Sequence, residues 1–133
     1  MSETAGEIGA SDFILGHEEA LAREITDALY ADDTTLVERF GAAGRAKCLQ
    51  DIHHCLEHLA PAVALDDPPL FARYVRWLAS LLAARGVGSE DVRRSLEATR
   101  AVLGQQRLRP DELAVLLRCV HAGLASLSDA RVR

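Results

Sequence analysis

Through nearly the whole chain, apolar residues recur three and four positions apart, and no segment of useful length alternates apolar with polar. The first pattern lines apolar side chains along one face of a helix; without the second there is nothing from which to build a half-buried strand. The clearest case is residues 69–85, where Phe71, Tyr74, Val75, Leu78, Leu81 and Leu82 make a broad apolar face that Gly86 and Gly88 close off.

The other helices follow from the same periodicity and its breakers. Ser11 or Asp12 is expected to cap a first helix running to about residue 30, with Phe13, Leu15, Leu21, Ile25 and Leu29 as its apolar members. Asp32, Asp33 and Thr34 break it and cap a short turn of helix over residues 35–40, and Gly41 and Gly44 bracket a further break. A long helix over about residues 42–65 buries Leu49, Ile52, Leu56, Leu59 and Val63, with Pro61 expected to kink its last turn. The run Asp66, Asp67, Pro68, Pro69 ends it and starts the next, since proline suits a first turn. Ser89, Glu90 and Asp91 cap a helix to about residue 103, and Pro110 begins the last, to about residue 127. Ala, Leu and Arg dominate and aromatics are 5% of the chain, which favours helix at every level. The expectation is an all-α fold of five main helices and one short one: a flexible start over residues 1–11, then a single domain over residues 12–133.

Charge and composition remove several function classes. A net charge of −5 argues against nucleic acid as a partner, because phosphate binding needs a basic surface. No apolar run approaches the roughly 20 residues that span a bilayer, and residues 1–10 lack the basic-then-apolar layout of a signal peptide. The chain is therefore read as cytoplasmic, with no membrane partner. Its three cysteines, Cys48, Cys55 and Cys119, form no CxxC and are expected to be reduced thiols, the latter two inside the core. No acid–base pair in a cleft-forming context and no phosphate loop is legible, so an enzyme is not expected.

One stripe of the long helix is unusual. Cys48, Asp51, Cys55, His58 and Ala62 advance by three and four along one side, flanking the apolar face. A thiol, a carboxylate and an imidazole thus lie at the edge of the core, where an exposed stripe would carry Lys and Glu. Lys47, Cys48, Leu49, Gln50, Asp51 and Ile52, in that order, resemble the bilin-attachment segment of phycobiliproteins, whose pattern is Lys/Ser-Cys-x-Arg-Asp-Ile/Leu on the long E helix of a globin fold. The order of elements agrees, and the stretch from Arg45 to about Leu103 looks closer still to soluble bacterial relatives of that family, the photoglobins and the bilin-biosynthesis-associated globins.

The resemblance implies a globin-like, phycobiliprotein-type domain that lacks the N-terminal assembly helices, and a bound linear tetrapyrrole (biliverdin or a phycocyanobilin-type bilin). It implies that Cys48 is the thioether-forming thiol, with Arg45 and Lys47 favouring its thiolate, and that the Asp51 carboxylate faces the inner pyrrole N–H groups. Arg45, Lys47, Arg73 and Arg76 are the candidates for the propionates, and Tyr74 and Trp77, with His54, Cys55 and His58, for the pocket wall. Two departures stand out. Gln50 replaces the family's Arg, and His54 and Cys55 stand where aromatics are usual. Rod assembly is not expected; a photoreceptor or pigment carrier is, acting alone, as a homodimer, or on a signalling partner.

Three other readings stay open on the residues themselves. His54 and His58, at i and i+4, have a spacing that can grip zinc. A haem globin would need a histidine on the helix after the E helix, and residues 69–85 contain none, leaving His53, His54 or His58 to ligate from the other side. A pigment-free globin module would act in signalling by its surface alone. His17 and His53 are expected to face solvent.

Overall fold

Breakers in the sequence set most of the helix ends. The computed structural model describes residues 9–132, the side chains of 128–132 excepted, and these form six helices with no strand among them. They are α1 (Ala10–Gly16), α2 (Glu18–Asp32), α3 (Leu36–Ala64), α4 (Pro68–Ala83), α5 (Ser89–Gly104) and α6 (Pro110–Val132). Of the expected flexible start, residues 1–8 lie outside the described residues, whereas Ala10 already opens α1 and is fully buried.

The single first helix expected over residues 11–30 is two. His17 leaves helical geometry at φ −121°, ψ 20°, its ring stacks on Phe13 at 4.4 Å, and its Nδ1 lies 3.0 Å from the Phe13 carbonyl oxygen. Side chains at Ser11 and Ser89 do not cap their helices either. The α1 start is satisfied from across the fold, where the Ala10 amide donates to Glu112 Oε1 of α6 at 2.7 Å. Asp33 does hold the entry to α3, accepting from the Thr35 amide at 3.1 Å and the Thr35 hydroxyl at 2.6 Å. Within α3, Gly41 sits at φ 71°, so the short stretch before it and the long one after it are distinct segments, as Gly41 implies; Gly44, expected to bound the same break, is helical.

Two helices end in the same kind of turn, and the second of these turns borders the site. After α3, the Asp67 amide donates to the Ala62 carbonyl and the Asp66 amide to the Val63 carbonyl, with Asp66 at φ 48°. After α4, the Val87 amide donates to the Leu82 carbonyl and the Gly86 amide to Ala83, with Gly86 at φ 84°. Both are Schellman turns, which close a helix through one left-handed residue. The second leaves Arg85 at the helix end and folds Val87 back beside Leu82.

The most extensive helix pairing is α4 on α6. Gly123 permits it: a Cβ there would stand 2.9 Å from both Phe71 Cε2 and Val75 Cγ2, side chains that are fully buried. α3 packs on α1 and α2 more than on α4, and α2 also packs on α5. Consecutive helices α4 and α5 make little contact, so the molecule is not an up-and-down bundle of sequence neighbours. The core runs through Ile14, Ile25, Leu56, Leu59, Phe71, Leu96, Leu103 and Leu116, each 1% exposed or less and each contributing roughly 1.5–3 kcal/mol by burial.

Candidate functional site

Where α3, the end of α2, the end of α4 and the start of α5 meet, the core is incomplete. The gap is a cavity of about 260 Å³ whose wall includes Leu29, Leu36, Phe40, Leu78, Leu82, Val87, Val92 and Leu96. Polar groups border it too: from α3, Lys47, Cys48, Asp51 and Cys55; from the other elements, chiefly Tyr30, Asp33, Arg85, Asp91 and Arg94. On the other side of Asp51 lies an outer groove of about 350 Å³ between α3 and α4, bordered by Gln50, His54, His58, Tyr74, Trp77 and Leu81. Lys47, Asp51, Leu78 and Arg85 border both spaces.

Asp51 therefore stands on the ridge between the two. It is half-buried and has no hydrogen-bond or ion-pair partner among the described residues, and Lys47 and Arg85, both exposed, have none either. The remaining acids of the cavity are satisfied internally. Asp33 accepts from Arg94 at 2.8 Å and lies 3.7 Å from Arg39, and Arg39 donates to Asp91 at 2.8 Å. The Thr35 hydroxyl first, then the Thr35 amide and the two guanidinium groups, hold the Asp33 carboxyl below its ordinary range against the effect of burial.

The thiols behave differently from the expectation of a reactive thiolate. Burial, reinforced by the Asp51 charge, pushes the Cys48 thiol up to about 11, and Arg45 offsets only part of this. Cys55, inside the core as expected, is pushed to about 12 for the same two reasons. Cys119 is a buried thiol of the α6 core, raised to about 11 chiefly by desolvation.

Along the outer groove the aromatics form a continuous wall. The His58 ring stacks on Tyr74 at 4.0 Å and 10°, and Tyr74 stands 5.9 Å from Trp77. Burial raises the Tyr74 hydroxyl well above the tyrosine range, with Cys55, Asp51 and Glu57 adding to it, so it is a neutral donor. Trp77 is 58% exposed, unusual for so large an apolar side chain.

Of the residues singled out in the sequence, the structure brings Lys47, Cys48, Asp51 and Cys55 together on the cavity and His54, His58, Tyr74 and Trp77 on the groove. Arg45 belongs to neither. Its guanidinium lies over the Tyr30 ring and pairs with Asp27, above a separate surface cleft. Arg73 and Arg76 are exposed on α4 and line neither space. His53 is half-buried rather than solvent-facing, because Glu18 Oε2 lies 2.9 Å from its Nδ1. Arg85 is the residue that sequence reasoning passed over. Its signal was its place just before Gly86, which reads only as a helix end until the turn geometry is known. No cluster of three or more His, Cys, Asp or Glu side chains fit to hold a metal occurs among the described residues. No helix among them is long and apolar enough to cross a membrane.

No protein-family model matches the chain, and no curated protein matches it in sequence.

Proposed function

We propose that this chain is a globin-like, cytoplasmic domain that binds a linear tetrapyrrole around Asp51, as a photosensor or pigment carrier rather than an enzyme. The observation that carries the reading is an Asp51 carboxylate with no partner among the described residues, on the ridge between an apolar cavity and an aromatic groove, with Lys47 and Arg85, likewise without a partner among them, bordering both spaces. Such a molecule has N–H donors at its centre, acidic side arms and flat rings, and each finds its complement here. Asp51 accepts from the inner pyrrole N–H groups, Lys47 and Arg85 face the propionates, and Tyr74, Trp77 and His58 stack a ring. The cavity of about 260 Å³ lies below the ~300–1,000 Å³ usual for drug-sized ligands, so the pigment occupies cavity and groove together. The globin-like arrangement is supported by the pairing of helices distant in sequence, α2 with α5 and α4 with α6, about the long α3.

The Cys48 thiol borders the site, and its burial beside the Asp51 carboxylate disfavours the thiolate, so in this reading the pigment is held without a thioether. A homodimer or a signalling protein would read the pigment's state from the outer face, where Trp77 is exposed. Co-expression with a haem oxygenase, with and without a bilin reductase, tests the proposal. The expected product is a coloured protein whose pigment separates from the chain on a denaturing gel viewed by zinc-enhanced fluorescence. Fluorescence that stays with the chain and is lost in Cys48→Ala would restore the thioether. A colourless protein under every pigment supply would leave a pigment-free interaction module, and a Soret band in cells supplied with haem would favour haem.

A further inference from the structure

We infer that the inner cavity is by itself a binding site for a medium-chain alkyl carboxylate, its chain in the leucine-lined chamber and its carboxylate at Lys47 and Arg85. This goes beyond the tetrapyrrole reading and does not depend on it. Three observations carry it. The chamber has an apolar wall drawn from four helices, with Leu29 of α2, Leu36 of α3, Leu82 of α4 and Val92 and Leu96 of α5 bordering one space. A volume of about 260 Å³ is the space of roughly nine water-sized groups at ~30 Å³ each, too little for a tetrapyrrole and enough for an alkyl chain. The charges at the rim are unevenly satisfied. Asp33, Asp91 and Arg94 are tied into one ion network with Arg39, while Lys47 and Arg85 are two cations with no partner among the described residues.

Asp51 borders the same space as these cations and its charge opposes an anionic headgroup, and this separates the two ligand classes. A tetrapyrrole needs the Asp51 carboxylate; an alkyl carboxylate gains from its removal. A neutral alkane offers the rim cations nothing; an alkylammonium is drawn by Asp51 but meets two cations, Lys47 and Arg85, so the two-to-one balance of unpartnered charge favours a carboxylate.

Isothermal titration of the pigment-free full chain with decanoate tests the inference. The expected result is saturable one-to-one binding that strengthens from hexanoate to decanoate and gains little beyond dodecanoate. Decylamine is expected to bind at least tenfold more weakly. Asp51→Asn should tighten decanoate about threefold, and Lys47→Gln with Arg85→Gln should weaken it about tenfold, all at exposed or half-exposed positions where the fold is expected to persist. No saturable binding of decanoate to the wild-type chain would overturn the inference, as would equal binding of decylamine or an unchanged affinity in the double variant. Pigment binding lost in Asp51→Asn while decanoate tightens would leave both readings standing. Decanoate binding in a chain that never takes pigment would remove the tetrapyrrole reading alone.

Discussion

The two sides of the molecule are packed by different rules. On the α4–α6 side, Gly123 lets two helices close until no atom fits between them, over Phe71 and Val75. On the α2–α5 side, the same helix α4 ends in a Schellman turn at Gly86, and its last apolar residues, Leu78 and Leu82, face a cavity instead of a partner. One side is closely packed; the other keeps a space and leaves Lys47, Asp51 and Arg85 without a partner among the described residues. A chain selected for stability alone would close both, because an unfilled cavity forgoes contacts that its lining could make.

The largest expected effect is alkaline. Cys48 and Cys55 on the cavity side and Cys119 on the packed side are raised to about 11, about 12 and about 11, whereas an unfolded thiol ionises near ~8.5. The unfolded chain therefore loses its thiol protons first. Stability is intact below about pH 8.5 and falls as pH rises through the folded values. Urea midpoints from pH 7 to 11 should fall steadily above 8.5, and Cys48→Ala with Cys55→Ala should flatten part of that fall. A flat profile in the wild type would mean that the thiols of both sides ionise as readily in the folded chain as in the unfolded one.

Truncation sharpens the comparison next. Phe71→Ala, on the filled side, is expected to cost about 3–5 kcal/mol in urea unfolding, while Leu82→Ala, beside an existing cavity, should fall near the low end of its range at about 2 kcal/mol. Equal losses at the two would erase the distinction. Gly123→Val forces side-chain atoms into a closed contact and should cost about 1–3 kcal/mol despite valine's better helix propensity. Smallest is Gly86→Ala, which must hold a left-handed residue at a cost of about 1 kcal/mol. Because the same turn sets Arg85, this variant should also weaken ligand binding, as read by titration.

Much of this was legible in the sequence. The apolar face of α4, the proline start at Pro68 and the break at Gly41 follow from periodicity and from residues with one strong backbone preference. The stripe on α3 was legible as well, since a fixed helical spacing puts Cys48, Asp51 and Cys55 on one side wherever the helix packs. What was not legible depends on partners far along the chain. The α1 start is held by Glu112, about a hundred residues away, and His53 is drawn inward by Glu18. Arg45 looked like a site residue because it precedes the motif, yet Asp27 and Tyr30 of α2 claim it. Arg85 joined the site only through the turn that follows it.

The most direct test of the central claim is a titration of the purified pigment-free chain with biliverdin, followed by red absorption, for the wild type and Asp51→Asn in parallel. The expected result is a saturable one-to-one spectral change with a sharpened red band in the wild type, and a band that is weakened and shifted when the carboxylate is removed. Identical spectra for the two proteins, or no saturable change in either, would contradict it.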